Sequence, residues 1–371
     1  MKVDAVLGIG ELSGVAGAAL ELEAAGYDGA WCAEVGHDPF LPLAVAAVAT
    51  SRVTLGTSIA VAFARNPMTM AYIANDLQAA SGGRFILGLG SQIKAHITRR
   101  FSMPWGAPAA QMREYVHALR SIWAAWNDGR PLDVRGHYYQ HTLMTPMFSP
   151  EPHQYGPPRV FLAAVGPAMT RVAGEVANGL ITHPFTTERY LREVTLPTLA
   201  EGISRAGRSR GDVEVTCPGF VILDDGSAEF AQRIAAARRQ IAFYGSTPAY
   251  RPVLALHGWG DLADRLHELS VTRGERRWAA MGELIDDEVL SAFAVMGSPG
   301  DAAAEVKRRF GDIVDRITIP AAPAGSAGEL LAAFAREKAR PAREFAIRPL
   351  RARRAVDQLG GPSSASGASA G

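Results

Sequence analysis

The chain has 371 residues, with 38 Lys+Arg against 37 Asp+Glu and a formal net charge of +1. So even a balance argues against a nucleic-acid binder, whose electrostatic footprint is a basic excess. The hydrophobic fraction of 48% supports a substantial core, while two distant cysteines, Cys32 and Cys217, with no CxxC pair, argue against a disulfide scaffold or a zinc knuckle.

Taken in chain order, the residues alternate between strand and helix patterns. Residues 3–9 (VDAVLGI) read as a strand and 15–26 as an amphipathic helix. Residues 29–33 are a strand, and 39–50 a helix opened by prolines, which a first turn tolerates. A strand over 52–60 leads to a helix over 68–81, which Gly82-Gly83 stops. The strand 84–90 is followed by a long helix over 109–128. Strand 158–165, helix 168–177, strand 179–183 and helix 188–207 come next. Residues 212–223 (DVEVTCPGFVIL) are expected as one long strand, then a mostly helical stretch from about 227 to 310, a last strand over 315–320 and a last helix over 328–339.

Eight strands separated by helices imply βαβ units and a parallel sheet. Apolar runs such as VFLAAV and FILGLG fit strands buried on both faces. Eight such units point to an α/β fold of the (β/α)8 TIM-barrel type, with a doubly wound sheet of two halves as the alternative. The barrel is expected over residues 1–345, with insertions near 129–157 and 245–300. The segment GSTPAYRPVLALHGWG within the second has the look of a lid or an interface. The basic, then Gly/Ser/Ala-rich stretch 346–371 is expected as a disordered tail. No apolar run reaches the ~18 residues of a membrane span. The opening MKVDAVLGIGELSG, broken by Asp4 and Gly8, lacks a signal-peptide pattern. A soluble, cytoplasmic protein without membrane or nucleic-acid partners is the expectation.

The stretch ASGGRFILGLGSQ (80–92) raises the question of a dinucleotide fingerprint, which needs G-x-G-x-x-G where a strand turns into a helix. Gly88 and Gly90 are present, but Ile93 stands where the third glycine belongs, and the next clear helix begins only near 107. The two glycines fit better as small residues at the top of a barrel strand, where backbone approaches a ligand closely. The other strand ends offer WCAEVGHDPF (31–40), LGTSIAVAFARNP (55–67) and AAVGPAMT (163–170). In a barrel these converge on the C-terminal face, where active sites are built. Glycines and hydroxyls with a carboxylate and a histidine suit a flat ring bearing a phosphate. No histidine spacing along the chain reads as a metal site.

Three segments carry a resemblance. LGTSIAVAFARNP, LQAASGGRFILGLGSQIKAH and AAVGPAMTRVAGEVANGLITHPF, in this order, resemble segments of the luciferase-like monooxygenase superfamily, and within it the deazaflavin (coenzyme F420)-dependent oxidoreductases. The resemblance spans roughly residues 3–340. It implies a barrel of the bacterial-luciferase type, often dimeric, and therefore a homodimer. It also implies a non-prolyl cis peptide at the end of the third strand, at Ser58-Ile59, with Ala60 beside it against the cofactor ring. Where the family places Asp-His after the second strand, this chain has Glu34-Val35, and His37-Asp38 follows. A ring-contacting or proton-handling role falls to Glu34 or to His37. The plainer reading makes His37 a loop histidine and Asp38 a cap for the helix starting at Pro39. Val165 and Gly166 match the cofactor's phosphate site, at a helix start whose amides favour an anion. Gly90, Ser91, Gln92 and Lys94 match ring- and side-chain-contacting positions. Trp105, Tyr138 and Trp259 are expected to shape an apolar substrate side, with His183 at the end of the sixth strand.

The implied activity is hydride transfer between F420 and a small organic substrate, with direction and substrate open. An FMN-dependent flavin monooxygenase using oxygen is the alternative, and a flavin-binding barrel without turnover a second one.

Overall fold

The computed structural model of the chain describes residues 1–335, apart from Ile9, Arg273, Glu275, Arg276 and Pro323. The tail expected over 346–371 and the end of the last helix lie outside the described residues.

The strands are β1 (Lys2–Val6), β2 (Gly29–Cys32), β3 (Thr54–Thr57), β4 (Ala60–Val61), β5 (Phe85–Gly90), β6 (Val134–Arg135), β7 (Gln140–His141), β8 (Arg159–Ala164), β9 (Gly179–Thr182), β10 (Glu214–Pro218), β11 (Phe220–Leu223), β12 (Ala294–Gly297) and β13 (Arg316–Ile319). The main sheet runs β3-β2-β1-β13-β10-β9-β8-β5-β4, every neighbour parallel, and β3 also pairs with β5. That last pairing closes the sheet on itself. The fold is a (β/α)8 barrel whose third strand is split into β3 and β4. Helices such as Val15–Ala25, Phe40–Ala49, Pro67–Ala80, Pro108–Asp128 and Pro167–Val176 link consecutive strands. The last four of these start at or beside a proline, and Asn66 caps one of them by accepting a bond from the Thr69 amide at 2.9 Å.

The run 212–223 is not one strand. It breaks at Gly219. β10 stays in the barrel, whereas β11 pairs in parallel with β12, a strand inside the stretch expected to be helical. The described residues of 227–310 therefore hold helices and one strand. The helix expected over 188–207 also changes character, passing from Glu188–Tyr190 through a π turn at Leu191–Thr195 into Leu196–Arg205. The first insertion carries the short antiparallel hairpin β6–β7. Glu114 holds its turn by accepting bonds from the amides of His137, Tyr138 and Tyr139. The described residues from Glu229 to Phe293, which include most of the second insertion, fold as helices with a core of their own, in which Ile241, Leu254, Leu266 and Met281 pack against Phe185 and Tyr190.

The barrel interior is sealed from below. Asp4 and Arg316 are fully buried and form a two-pronged ion pair, with both N–O distances at 2.7 Å, and Trp31 Nε1 donates to the same carboxylate at 2.8 Å. The Arg316 guanidinium lies 5.8 Å from the Trp31 ring centroid. Burial raises the Asp4 pKa, and the Arg316 charge opposes it. Trp31, Ile86, Phe161 and Ile181 fill the layer above. These charges sit at the N-terminal half of the strands, where barrel residues serve stability, and leave the C-terminal rim for chemistry.

Candidate active site at the C-terminal rim

β2, β3 with β4, β5 and β8 are neighbours in the barrel, so their C-terminal ends form one arc of rim. The two glycines of the FILGLG strand are explained here by steric need. The β3–β5 ladder stops after Gly56↔Ile86 and resumes on β4 at Ala60↔Leu89. In the gap, the Thr57 hydroxyl donates to the Gly88 carbonyl at 2.6 Å and accepts from the Gly88 amide at 2.9 Å. A Cβ on Gly88 would run into the Thr57 carbonyl oxygen, and one on Gly90 would lie 2.7 Å from Ile59 Cδ1. The Ser58–Ile59 peptide within the gap is cis. Ser58 and Ile59 are half-buried, so this ledge faces the mouth of the barrel.

Glu34 holds the ledge in place. Its carboxylate accepts from the Val61 amide at 2.8 Å and from Arg65 Nη1 at 2.7 Å, and its side chain is 6% exposed. Arg65 Nη2 reaches Asp38 at 2.7 Å, and its guanidinium lies 5.3 Å from the Phe40 ring centroid. Burial alone would lower the Arg65 pKa, but the bonds and charges of Glu34 and Asp38 outweigh it and raise it. Asp38 also accepts from the Phe40 amide at 2.8 Å, in the first turn of the helix. His37 stands exposed on the same loop. The structure thus brings Glu34, Ser58, Ile59, Ala60 and Gly90 together and leaves His37 at the rim, open to water. Arg65, in the AFARNP stretch after β4, completes the Glu34 pair, a partner that the sequence reading does not single out.

Beyond β5 the chain turns sharply. Gln92 takes a left-handed φ of 56° and Ser102 one of 55°, a conformation that costs a non-glycine residue about 1–3 kcal/mol and clusters at functional sites. Between them His96–Arg100 forms a π turn. Ser91 Oγ donates to the Gln92 carbonyl at 3.1 Å, and Lys94 is exposed. Arg100 Nη2 donates to the Val35 carbonyl at 3.2 Å and so ties this loop to the one after β2. Trp105 packs edge-on against Phe63, with centroids 6.0 Å apart, and Tyr138 accepts from the Ala107 amide at 3.1 Å.

Beside β5, β8 ends at Ala164. Val165 is half-buried, and exposed Gly166 opens the ten-residue helix Pro167–Val176. No side chain caps this helix. Pro167 has no N–H, so the free first-turn donors are the amides of Ala168 and Met169. A Cβ on Gly166 would meet nothing within 4 Å. An uncapped, exposed N-terminus with open space above it attracts an anion through both its N–H groups and its dipole.

Next along the rim, β9 delivers His183. Its Nδ1 accepts from the Phe185 amide at 3.0 Å, and its Nε2 lies 3.1 Å from Tyr250 Oη. Tyr250 stacks on the imidazole at 4.5 Å and Tyr244 meets it edge-on at 4.7 Å. Burial lowers the His183 pKa to about 4 and raises the Tyr250 pKa to about 12. Trp259 stacks on His257 at 4.6 Å, and His257 Nε2 bonds the Thr187 hydroxyl at 2.8 Å. Among the described residues, no group of three or more His, Cys, Asp or Glu side chains is placed to hold a metal ion, and no helix is long and apolar enough to cross a membrane.

Residues 4–316 match the family model described as luciferase-like monooxygenase. An uncharacterized protein of Mycobacterium tuberculosis is 56% identical over 307 residues, covering 83% of this chain and 89% of its own. A putative coenzyme F420-dependent oxidoreductase of the same organism is 30% identical over 291 residues, covering 72% and 80%. Among solved structures, the coenzyme F420 dependent tetrahydromethanopterin reductase from Methanopyrus kandleri superposes with a TM-score of 0.71 at 22% identity, covering 89% of this chain and 96% of that one.

Proposed function

The chain belongs to the luciferase-like monooxygenase family, and from that premise we propose that it is an oxidoreductase exchanging a hydride between coenzyme F420 and a small organic substrate. The observation that carries the reading is the open helix N-terminus at Gly166, on the same arc as the Ser58–Ile59 ledge and Gly90. These residues fit a flat ring with a phosphate attached. The Ala168 and Met169 amides would take the phosphate, and the space over Gly166 leaves room for it. Ser58, Ile59 and Ala60 would support the ring, with Gly90 and Ser91 beside it. Lys94, exposed on the β5 loop, would meet the acidic end of the cofactor. The relative named as F420-dependent, at 30% identity, supports the deazaflavin over FMN.

When bound, the deazaflavin supplies or accepts the hydride. The protein's share is position and proton traffic. Glu34 fixes the ledge through Val61 and Arg65, so its carboxylate is committed to structure. Of Glu34 and His37, it is His37 that stands exposed at the rim and is left to the proton-handling role in this reading. Trp105 and Phe63 close the mouth with apolar surface and exclude water.

The test compares F420 with its riboflavin-like chromophore lacking the phosphate and the acidic tail, by quenching of cofactor fluorescence. The reading expects the phosphate-bearing form to bind at least ~10-fold more tightly, a difference of about 1.4 kcal/mol. Equal affinity would remove the phosphate assignment at Gly166, and binding of neither form would remove the F420 reading.

A further inference from the structure

We propose that Tyr250 is the residue that donates a hydrogen bond, and then a proton, to the oxygen of a neutral carbonyl substrate, and that His183 is its positioning residue. Ile181 lies in the barrel interior and Gly179 faces Phe161 there. Side chains alternate along a strand, and His183, the first residue past the strand end at Thr182, continues that inward register toward the mouth. Its proton is assigned by its partners. The Phe185 amide can only donate, so Nδ1 accepts and the ring hydrogen sits on Nε2. Nε2–H then donates to Tyr250 Oη across 3.1 Å. That bond occupies a lone pair of the phenol and leaves its own O–H to point elsewhere. No other bond from Tyr250 Oη is found among the described residues, and the residue is half-buried. Burial holds His183 neutral, which keeps Nδ1 free to accept from the amide.

The surroundings select the substrate class. His183 and Tyr250 pack against Tyr244 and Phe185, with no cation among these partners. An aromatic wall without positive charge penalises a carboxylate or a phosphate and accepts a carbonyl, whose oxygen the phenol satisfies. In the reducing direction a hydride adds to the carbonyl carbon and the π pair moves onto the oxygen. That oxygen takes the Tyr250 proton. The phenolate keeps the His183 Nε2–H bond and regains a proton from water. Oxidation of the alcohol is the same path reversed. The proton step rests on the hydride-transfer reading above, whereas the donor site does not.

The experiment uses cyclohexanone carrying 13C at its carbonyl, titrated into the full-length protein with and without F420 and followed by NMR, because hydrogen-bond donation moves that resonance downfield. The expected result is a saturable downfield shift in the wild type, lost in Tyr250→Phe. It is weakened in His183→Phe and partly restored in His183→Gln, which keeps an N–H donor. In 15N-histidine spectra near pH 7, His183 shows the neutral Nε2–H tautomer. No shift in the wild type, an unchanged shift in Tyr250→Phe, or the Nδ1–H tautomer overturns the proposal. If F420 fails to bind while the Tyr250-dependent shift persists, the cofactor reading falls and the donor site stands. If F420 binds and the shift is absent, only the donor site falls.

Discussion

The neutrality of His183 makes stability depend on pH in a predictable direction. Burial depresses its pKa from an ordinary value of 6.5 to about 4 in the folded chain. Above pH 6.5 the ring is neutral whether the chain is folded or not, and contributes nothing. As pH falls below 6.5 the unfolded chain takes up a proton that the folded one refuses, so stability is lost until pH 4, where both forms are protonated. At 1.36 kcal/mol per unit, the loss between about pH 7.5 and pH 5 is about 2 kcal/mol, approaching about 3 kcal/mol below pH 4. Burial raises the Tyr250 phenol stacked on the ring to about 12, so it stays neutral across this range. His117, His141 and His257 also have pKa values lowered by burial and add to the total. The informative quantity is therefore a difference. Urea unfolding at both pH values should show the wild type losing about 2 kcal/mol more than His183→Gln, because the other histidines cancel. Equal losses, within about 0.5 kcal/mol, would refute the buried neutral imidazole.

Gly166→Asp should separate folding from binding. A carboxylate at this uncapped N-terminus, where a Cβ meets nothing, stabilises the helix by roughly 0.5–1 kcal/mol in urea unfolding, while it repels a phosphate and weakens F420 by ~10-fold or more. Glu34→Gln keeps an acceptor for the Val61 amide but removes the charge facing Arg65. Because Arg65 is 17% exposed and retains Asp38, the cost by urea midpoint is about 1–2 kcal/mol, below the 3–5 of a fully buried pair. Asp4→Asn leaves Arg316, which is 1% exposed, with only the more distant Glu214 carboxylate at 3.7 Å, and should cost about 3 kcal/mol; a loss no larger than that of Glu34→Gln would contradict the sealed barrel floor.

The barrel was legible because its strands are short apolar runs between helical periods, punctuated by Gly82-Gly83 and by prolines in first turns. Where the reading failed, local pattern was silent about partners. EVTCPGFVIL runs apolar across Pro218-Gly219, and nothing in it says that Phe220–Leu223 leaves the barrel to pair with Ala294–Gly297, some seventy residues on. That second strand, AVMG, is too short to stand out between two helices. At the site, the glycines of FILGLG were rightly refused as a dinucleotide fingerprint, but their true reason, the Thr57 carbonyl and the Ile59 side chain, is a tertiary contact. Glu34 drew attention as a carboxylate at a strand end, and only the fold shows it tied to Arg65. Tyr250 lies in the GSTPAYRPVLALHGWG segment that reads as a lid or an interface, but its own meaning comes from His183, 67 residues away.

The central claim is that the rim holds a deazaflavin for hydride transfer. Parallel fluorescence titrations of the purified protein with oxidised F420 and with FMN test it most directly. The account predicts saturable binding of F420 and at least ~10-fold weaker binding of FMN, about 1.4 kcal/mol. Tighter binding of FMN than of F420 would contradict it and make this chain an oxygen-using flavin enzyme of the same family.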